Sequence, residues 1–187
     1  MHQASTYSRV AIALHWLIAL LIIAQLAGGL WMVRLPFTSL KFEIYQWHKS
    51  FGVLILALSF VRLGWRLGHK PPPLPDTMAP AQTLIARISH KAFYGFLLGM
   101  PMIGWAMVSA SPRDVPTVLF KFLPWPHIPG VPRSEDLAGL LSNAHEYVAY
   151  GFIALLVLHI GAACKHHFVD HDDVLVRMAP IFRRKKG

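Results

Sequence analysis

The stretch HEYVAYGFIALLVLHIGAAC, residues 145–164, decides the fold of this chain. From Tyr147 to Cys164 it runs for 18 residues without a formal charge. A helix needs roughly 20 apolar residues to cross the hydrocarbon core of a bilayer. The stretch also holds His145 and His159, and an ionisable residue inside a membrane is a functional candidate by default. It therefore predicts a transmembrane helix that carries a functional site.

The composition extends this interpretation to the whole chain. Hydrophobic residues make up 55% of the 187 residues and charged residues 14%, whereas soluble domains average about 25% charged residues. The formal net charge is +9, but the basic residues flank apolar runs, so nucleic acid is not an expected partner. Cys164 is the single cysteine, which excludes an intrachain disulfide and disfavours a cysteine metal cluster. The absence of a C-x-x-C-H motif excludes covalent haem attachment.

Three further apolar runs complete the transmembrane pattern. Val10–Val33 has 24 uncharged residues and Ala92–Pro112 has 21, while Ile44–Leu67 carries basic residues only near its ends. A cleaved signal peptide is the alternative for the first run, which is longer than the usual signal core. We predict an all-α, integral membrane four-helix up-and-down bundle that forms one domain over residues 1–187. Its helices are expected at about 9–34, 42–67, 86–110 and 138–166, with residues 111–137 as an ordered surface loop.

The basic residues near the helix ends predict the orientation. The end with both termini has the larger set, so both termini are expected in the cytoplasm. That set is Arg9, Arg62, Arg66, Lys70, Arg87, Lys91, Lys165, Arg177, Arg183, Arg184, Lys185 and Lys186. The opposite end has Arg34, Lys41, Lys49, Arg113, Lys121 and Arg133.

The histidines of this bundle fall at two depths. His145 and His159 are 14 residues apart, which places them within about 40° on one helix face and about 21 Å apart along the axis. With alternating helix directions, His48 matches the depth of His145, and His15 matches that of His159. Two histidines from facing helices suit a six-coordinate haem that transfers electrons. The depths therefore predict two haem b groups, ligated by His15/His159 and by His48/His145.

Other residues are candidates for the surroundings of these haems. Gly52 lies one turn after His48, and Gly151 lies between the two histidines of the last helix; glycine there allows close approach of a haem or simply of another helix. Arg9 and Lys49, with Arg62 and Arg66, lie at the depths where haem propionates would emerge. His90 matches the depth of His15 and His159. It either replaces one of them as a ligand or lines a pocket for a small molecule such as quinone.

Two rival interpretations remain open from the residues alone. A lone histidine inside a membrane is often only a hydrogen-bonded core residue, and a haem-free transporter or assembly factor would use histidines for a metal ion. No Asp or Glu lies deep in a predicted span, which disfavours that class. A second rival keeps the haems but makes the chain the membrane anchor subunit of a larger dehydrogenase or hydrogenase.

Several motifs resemble the bacterial cytochrome b561 family. They are Ser8-Arg9 with His15-Trp16, Trp47-His48, Val61-Arg62-Leu63, His90 with Tyr94, Pro101 and Gly104, and finally His145-Glu146, His159 and His166-His167-Phe168. The resemblance covers nearly the whole chain. It implies a four-helix di-haem b cytochrome of the inner membrane, with the same four histidine ligands.

The resemblance also implies partners for the electrons. The family includes a superoxide oxidase that passes an electron to ubiquinone, so membrane quinone is an expected partner. Superoxide or a redox partner protein is an expected donor. If the donor is superoxide, Arg113, Lys121 and Arg133 are the residues expected to steer it, and such steering weakens with salt.

Overall fold

The computed structural model describes residues 6–75 and 78–182, and the predicted tail cations Arg183, Arg184, Lys185 and Lys186 lie outside them. Four long helices, α1 to α4, are apolar enough to cross a membrane. This confirms the predicted class, a mostly helical bundle suited to a membrane. The elements in chain order are α1 (Arg9–Met32), α2 (Ser39–Gly68), α3 (Pro80–Ala110), β1 (Thr117–Leu119), β2 (Leu123–Trp125), α4 (Glu135–Phe168), α5 (Val174–Met178) and a 3-10 turn (Pro180–Phe182).

The helix starts follow from capping. Ser8, Thr38 and Ser134 each accept a hydrogen bond from the backbone N–H three residues on, which satisfies a donor that the first helical turn leaves free. Helix α3 begins at Pro80, before the predicted start at 86, because proline is favoured at the first helical position. The prediction followed only the apolar run and so missed the polar first turns.

Helices α1 and α2 are joined by a turn that Lys41 stabilises. The Lys41 side chain is buried, and its Nζ donates hydrogen bonds to the carbonyl oxygens of Val33 at 3.4 Å and Leu35 at 2.8 Å. Carbonyls at the end of a helix have no partner within the helix. Lys41 therefore supplies the missing donors and closes the turn.

The helices pack in chain order. The most extensive contacts join α1 to α2, α2 to α3 and α3 to α4. The buried core consists of Ile18, Ile22, Leu26, Ile55, Leu97 and Phe152. Phe152 is seven residues from both His145 and His159, so this core lies midway between the two predicted histidine depths.

The predicted surface loop 111–137 contains the β-hairpin and closes one end of the bundle, here called the hairpin end. Strand β1 pairs antiparallel with β2. The side chain of Gln46 binds the backbone of Pro116 and Val118, and Ser50 Oγ accepts from Phe120 N at 2.9 Å. Trp105 Nε1 donates to Pro126 O at 2.8 Å. These bonds attach the loop to α2 and α3.

The opposite end, here called the terminal end, is closed by α5. Trp16 Nε1 donates to Met178 O at 2.8 Å, and the Arg177 guanidinium donates to the carbonyl of Pro73. Val176 and Ala179 are buried. The short helix thus joins α1 to the proline-rich segment that follows α2.

Candidate functional site

The structure brings the four predicted ligand histidines together in two pairs. At the hairpin end, the rings of His48 and His145 have centroids 6.3 Å apart and planes at 76°. At the terminal end, the rings of His15 and His159 are also 6.3 Å apart, with planes at 71°. The partners come from different helices, as the depth argument predicted.

This separation fits a shared metal. Each metal–nitrogen bond is about 2 Å long and each ring adds about 1 Å, so the centroids of two coaxial ligands lie roughly 6 Å apart. Within the described residues, His145 Nδ1 is buried without a hydrogen bond of normal geometry. The backbone carbonyl of Met100 is the acceptor that interacts with this ring. A ligating histidine normally donates its second N–H to such a group, so the donor set fits a haem.

Glycines on neighbouring helices make room for the two rings at the hairpin end. A Cβ on Gly29 would lie 3.4 Å from His48 Cε1, and one on Gly104 would lie 3.1 Å from His145 Cε1. The predicted glycine Gly52 instead faces the Gln25 side chain at 3.9 Å. Sequence reasoning did not select Gly29, because the contact joins two helices and leaves no local signal. It quoted Gly104 only as part of the family resemblance.

Gly151 and Gln25 each contact a residue of a neighbouring helix. A Cβ on Gly151 would meet the Phe96 ring at 3.3 Å, which is the helix–helix alternative for that residue. Gln25 Nε2 donates to the backbone carbonyl of His48 at 2.8 Å. This bond crosses from α1 to α2 at the ligand's own peptide group, so Gln25 fixes the position of α2 beside His48.

Three histidines converge at the terminal end. The His90 ring lies 6.2 Å from His159, almost the same distance as His15, and the Phe93 ring lies 4.9 Å from His159. Arg62 acts electrostatically on both His15 and His159. The distances alone do not select between His15 and His90 as the partner of His159.

A two-lobed cavity opens beside these histidines. The smaller lobe, about 320 Å³, is lined by His90, Arg87 and Lys91 among others. The larger lobe, about 560 Å³, is lined by Arg62, Trp65 and Lys70 among others. Both lobes share Tyr7, Arg66, Pro71, Pro72, Pro73 and Tyr94. His90 therefore lines the wall of a cavity and also lies within reach of His159.

The two predicted propionate residues outside this cavity have different surroundings. Arg9 is exposed at the first position of α1 and does not line either lobe. Lys49 Nζ donates to the carbonyl of Pro116 at 3.3 Å. Lys49 thus also holds the hairpin loop against α2.

A second cluster of possible metal ligands lies where α4 ends. His166, Asp170 and Asp172 are close enough to share an ion, but the protein already uses these groups. His166 Nδ1 bonds to Asp172 at 2.6 Å, and Asp172 also accepts from Val174 N at the start of α5. The hydrogen bond from Lys165 holds the pKa of the Asp170 carboxyl below its usual value. The cluster therefore connects the end of α4 to the start of α5 through hydrogen bonds.

The sequence profile of the family described as prokaryotic cytochrome b561 matches residues 6–180. The chain belongs to this family. The cytochrome is 34% identical to cytochrome b561 homolog 2 of Escherichia coli strain K12, over 92% of this chain and 90% of that protein. It is 29% identical to cytochrome b561 homolog 1 of the same strain, over 96% and 98% of the two chains. A probable superoxide oxidase of Yersinia pestis is 29% identical over the full length of both chains.

Family membership confirms the coarser functional predictions. The cytochrome is a multi-pass bacterial membrane protein that binds haem b and transfers electrons. This favours the haem-bearing interpretations over a haem-free transporter or assembly factor.

Proposed function

We propose that this cytochrome holds two haem b groups, one between His15 and His159 and one between His48 and His145, and passes electrons from an external donor to membrane quinone. The observation that carries the proposal is that histidines from different helices meet at about the same ring separation, 6.3 Å, at both ends of the bundle. At the terminal end, the family resemblance favours His15 over His90 as the partner of His159. Haem b supplies a one-electron iron couple, whose potential depends on axial ligands and on nearby polar groups.

The protein's own residues set the geometry at each end. At the hairpin end, Gln25 Nε2 donates a hydrogen bond to the backbone carbonyl of His48, and the backbone carbonyl of Met100 lies beside the His145 ring. At the terminal end, Arg62 and Arg66 supply positive charge beside the histidines. Cations at this depth suit the carboxylates of haem propionates, because a charged pair loses less on leaving water than a single charge.

His90 is the proposed wall residue of a quinone site. It lines the cavity at the terminal end together with Tyr94 and Leu74, so that one cavity offers polar groups and apolar surface to a quinone ring. An imidazole beside a quinone oxygen can donate a hydrogen bond or a proton. Quinone is also the acceptor that the family resemblance implies.

Superoxide is the proposed donor, and the relative named as a probable superoxide oxidase supports it. The structure shows which of the three candidate cations have a carboxylate partner and which does not. Lys121 lies 3.4 Å from Glu43, and Arg133 lies 2.6 Å from Asp114, so part of their charge is compensated. Arg113 is exposed and has no carboxylate partner among the described residues. Arg113 is therefore the principal steering residue.

The test is a dithionite-reduced minus oxidised spectrum of the purified protein, with haem and protein quantified together. Two low-spin haem b groups per chain are expected. His48→Leu and His159→Leu should each remove one, and His90→Leu should keep both. A protein without haem, from cells able to supply it, would overturn the proposal. Loss of a haem in His90→Leu but not in His15→Leu would replace His15 by His90 as ligand.

The donor and acceptor need a separate experiment. Superoxide should reduce the haems and added ubiquinone should reoxidise them. Arg113→Gln should slow the superoxide step several-fold at low salt and hardly at all at high salt. Lys165→Gln, which removes a cation at the opposite end, is the control. Rates with superoxide that do not change with salt would count against steering.

A further inference from the structure

Three exposed cations at the mouth of the two-lobed cavity are not used by the proposed function. These rim cations are Lys70, just after α2, and Arg87 and Lys91 in the first turns of α3. Arg62 and Arg66 line the same cavity but are half-buried. Their positive charges lie close to the histidines of the terminal end. The cavity is therefore lined by two half-buried cations near the histidines and by three exposed cations at its mouth.

The rim cations have no partner among the described residues that would compensate their charge. Within residues 6–75 and 78–182, none of the three forms an ion pair or a side-chain hydrogen bond. Among residues 6–75 and 78–182, no carboxylate lines either lobe. Arg87 and Lys91 are also four residues apart on one helix, a spacing at which like charges repel. An anion at the rim would relieve this repulsion.

The rim lies at the depth of lipid headgroups. Leu84, Ile85 and Ile88 on the same turns of α3 are 59%, 64% and 57% exposed. In a membrane protein such an apolar surface faces lipid chains, while long cationic side chains reach the headgroup layer. The same short segment thus offers contacts to both parts of a phospholipid.

We propose that the rim cations bind the phosphate of an anionic phospholipid, which covers the mouth of the cavity. Arginine forms paired hydrogen bonds with phosphate oxygens, and basic pockets between transmembrane helices bind anionic headgroups. A zwitterionic lipid brings a cation of its own, so three uncompensated cations favour a lipid with net negative charge. Lipid binding at the rim does not require the haem assignments, although the rim lines the same cavity as the proposed quinone site.

The experiment is a lipid titration of the purified, haem-loaded protein followed by native mass spectrometry. Phosphatidylglycerol should bind at least about tenfold more tightly than phosphatidylcholine. Arg87→Gln/Lys91→Gln should lose this preference. The control variant Arg34→Gln/Arg113→Gln removes the same formal charge at the hairpin end, where neither side chain forms an ion pair among the described residues, and should keep the preference. An equal loss in both variants, or no loss in the first, would overturn the site.

Two further measurements separate the alternatives. Inorganic phosphate that displaces phosphatidylglycerol at millimolar concentration would assign the rim to a small anion and overturn the lipid assignment. Should the glutamine variant fail to fold, Arg87→Lys/Lys91→Arg keeps both charges and is expected to retain the preference. Loss of the preference in a folded, haem-loaded swap variant would contradict a site built on charge.

Discussion

At the scale of single residues, the pair formed by His48 and His145 at the hairpin end depends on a contact that only the tertiary fold creates. Gly104 on α3 lies against the His145 ring of α4, so close that a Cβ would come within 3.1 Å of Cε1. A contact that tight requires the neighbour to give way by a few tenths of an ångström, and the His145 ring is that neighbour. The backbone carbonyl of Met100, one turn before Gly104 on α3, lies beside the same ring.

Gly104→Ala is therefore expected to displace His145 and to alter or remove only one haem. Overpacking of this kind costs about 1–3 kcal/mol. The haem proposed for the hairpin end should show a changed reduction potential or low-spin EPR signal, while the haem proposed for the terminal end stays as in the wild type. Gly99→Ala is the matched control, because nothing lies within 4 Å of that Cβ position. Identical spectra for both variants would contradict the role of Gly104.

Asp114 gives the hairpin loop a dependence on pH. The hydrogen bond from Arg133, 2.6 Å long, lowers the pKa of the Asp114 carboxyl. A carboxyl whose pKa is lower in the folded state stabilises the fold above its ordinary pKa, and this stabilisation is lost as the pH falls through the folded value. His127 also contacts Asp114 at 3.3 Å, so one carboxylate joins three parts of the loop.

Proteolysis of residues 111–134 should accordingly accelerate as the pH falls below about 4, with an acid-stable protease as the probe. Asp114→Asn should be cleaved faster at neutral pH and should lose most of this acceleration. A variant that keeps the same pH profile as the wild type would show that another group controls the loop.

At the scale of elements, the β-hairpin is held by its docking and not by its turn sequence. Phe120 and Lys121 have φ values of 51° and 68°, and Phe122 N bonds to Leu119 O at 3.1 Å. Tight hairpin turns with two left-handed residues favour Asn-Gly. The Phe120 ring packs against Trp47 and Phe51, which stabilises a turn that the local sequence disfavours.

Lys121→Gly should therefore stabilise the hairpin by about 1 kcal/mol relative to Lys121→Ala, because only glycine adopts this conformation freely. Both variants lose the exposed ion pair with Glu43, which contributes little. Hydrogen exchange at residues 117–125 measures the difference, and slower exchange in the glycine variant is expected. Equal exchange in the two variants would show that the turn is not strained.

The long helices could be predicted from the sequence, whereas the short elements could not. Helices α1 to α4 follow from long apolar runs, and the predicted bounds differ from the observed ones by a few polar residues at most ends. The strands β1 and β2, with three residues each, and α5, with five, were not predicted. Elements this short have no measurable periodicity, so their conformation depends on the groups they pack against.

At the scale of the whole molecule, the excess of basic residues at the terminal end predicts that both termini face the cytoplasm. In a Cys164→Ser background, Arg113→Cys at the hairpin end should react with a membrane-impermeant maleimide in intact cells. Lys70→Cys at the terminal end should react only after permeabilisation. The reverse pattern would invert the orientation, and with it the side at which superoxide would arrive.

The sequence by itself determined the membrane class, the four helices and the two depths of histidines. Apolar length and helical phase are local properties, and fourteen residues of helix place His145 and His159 on one face in any surroundings. Only the tertiary structure decided which rings meet, that Gly29 and Gly104 make room for two of them, and that His90 lies as close to His159 as His15 does. These relations join residues of different helices, whose separation depends on how the helices pack, and no pattern along one helix records it.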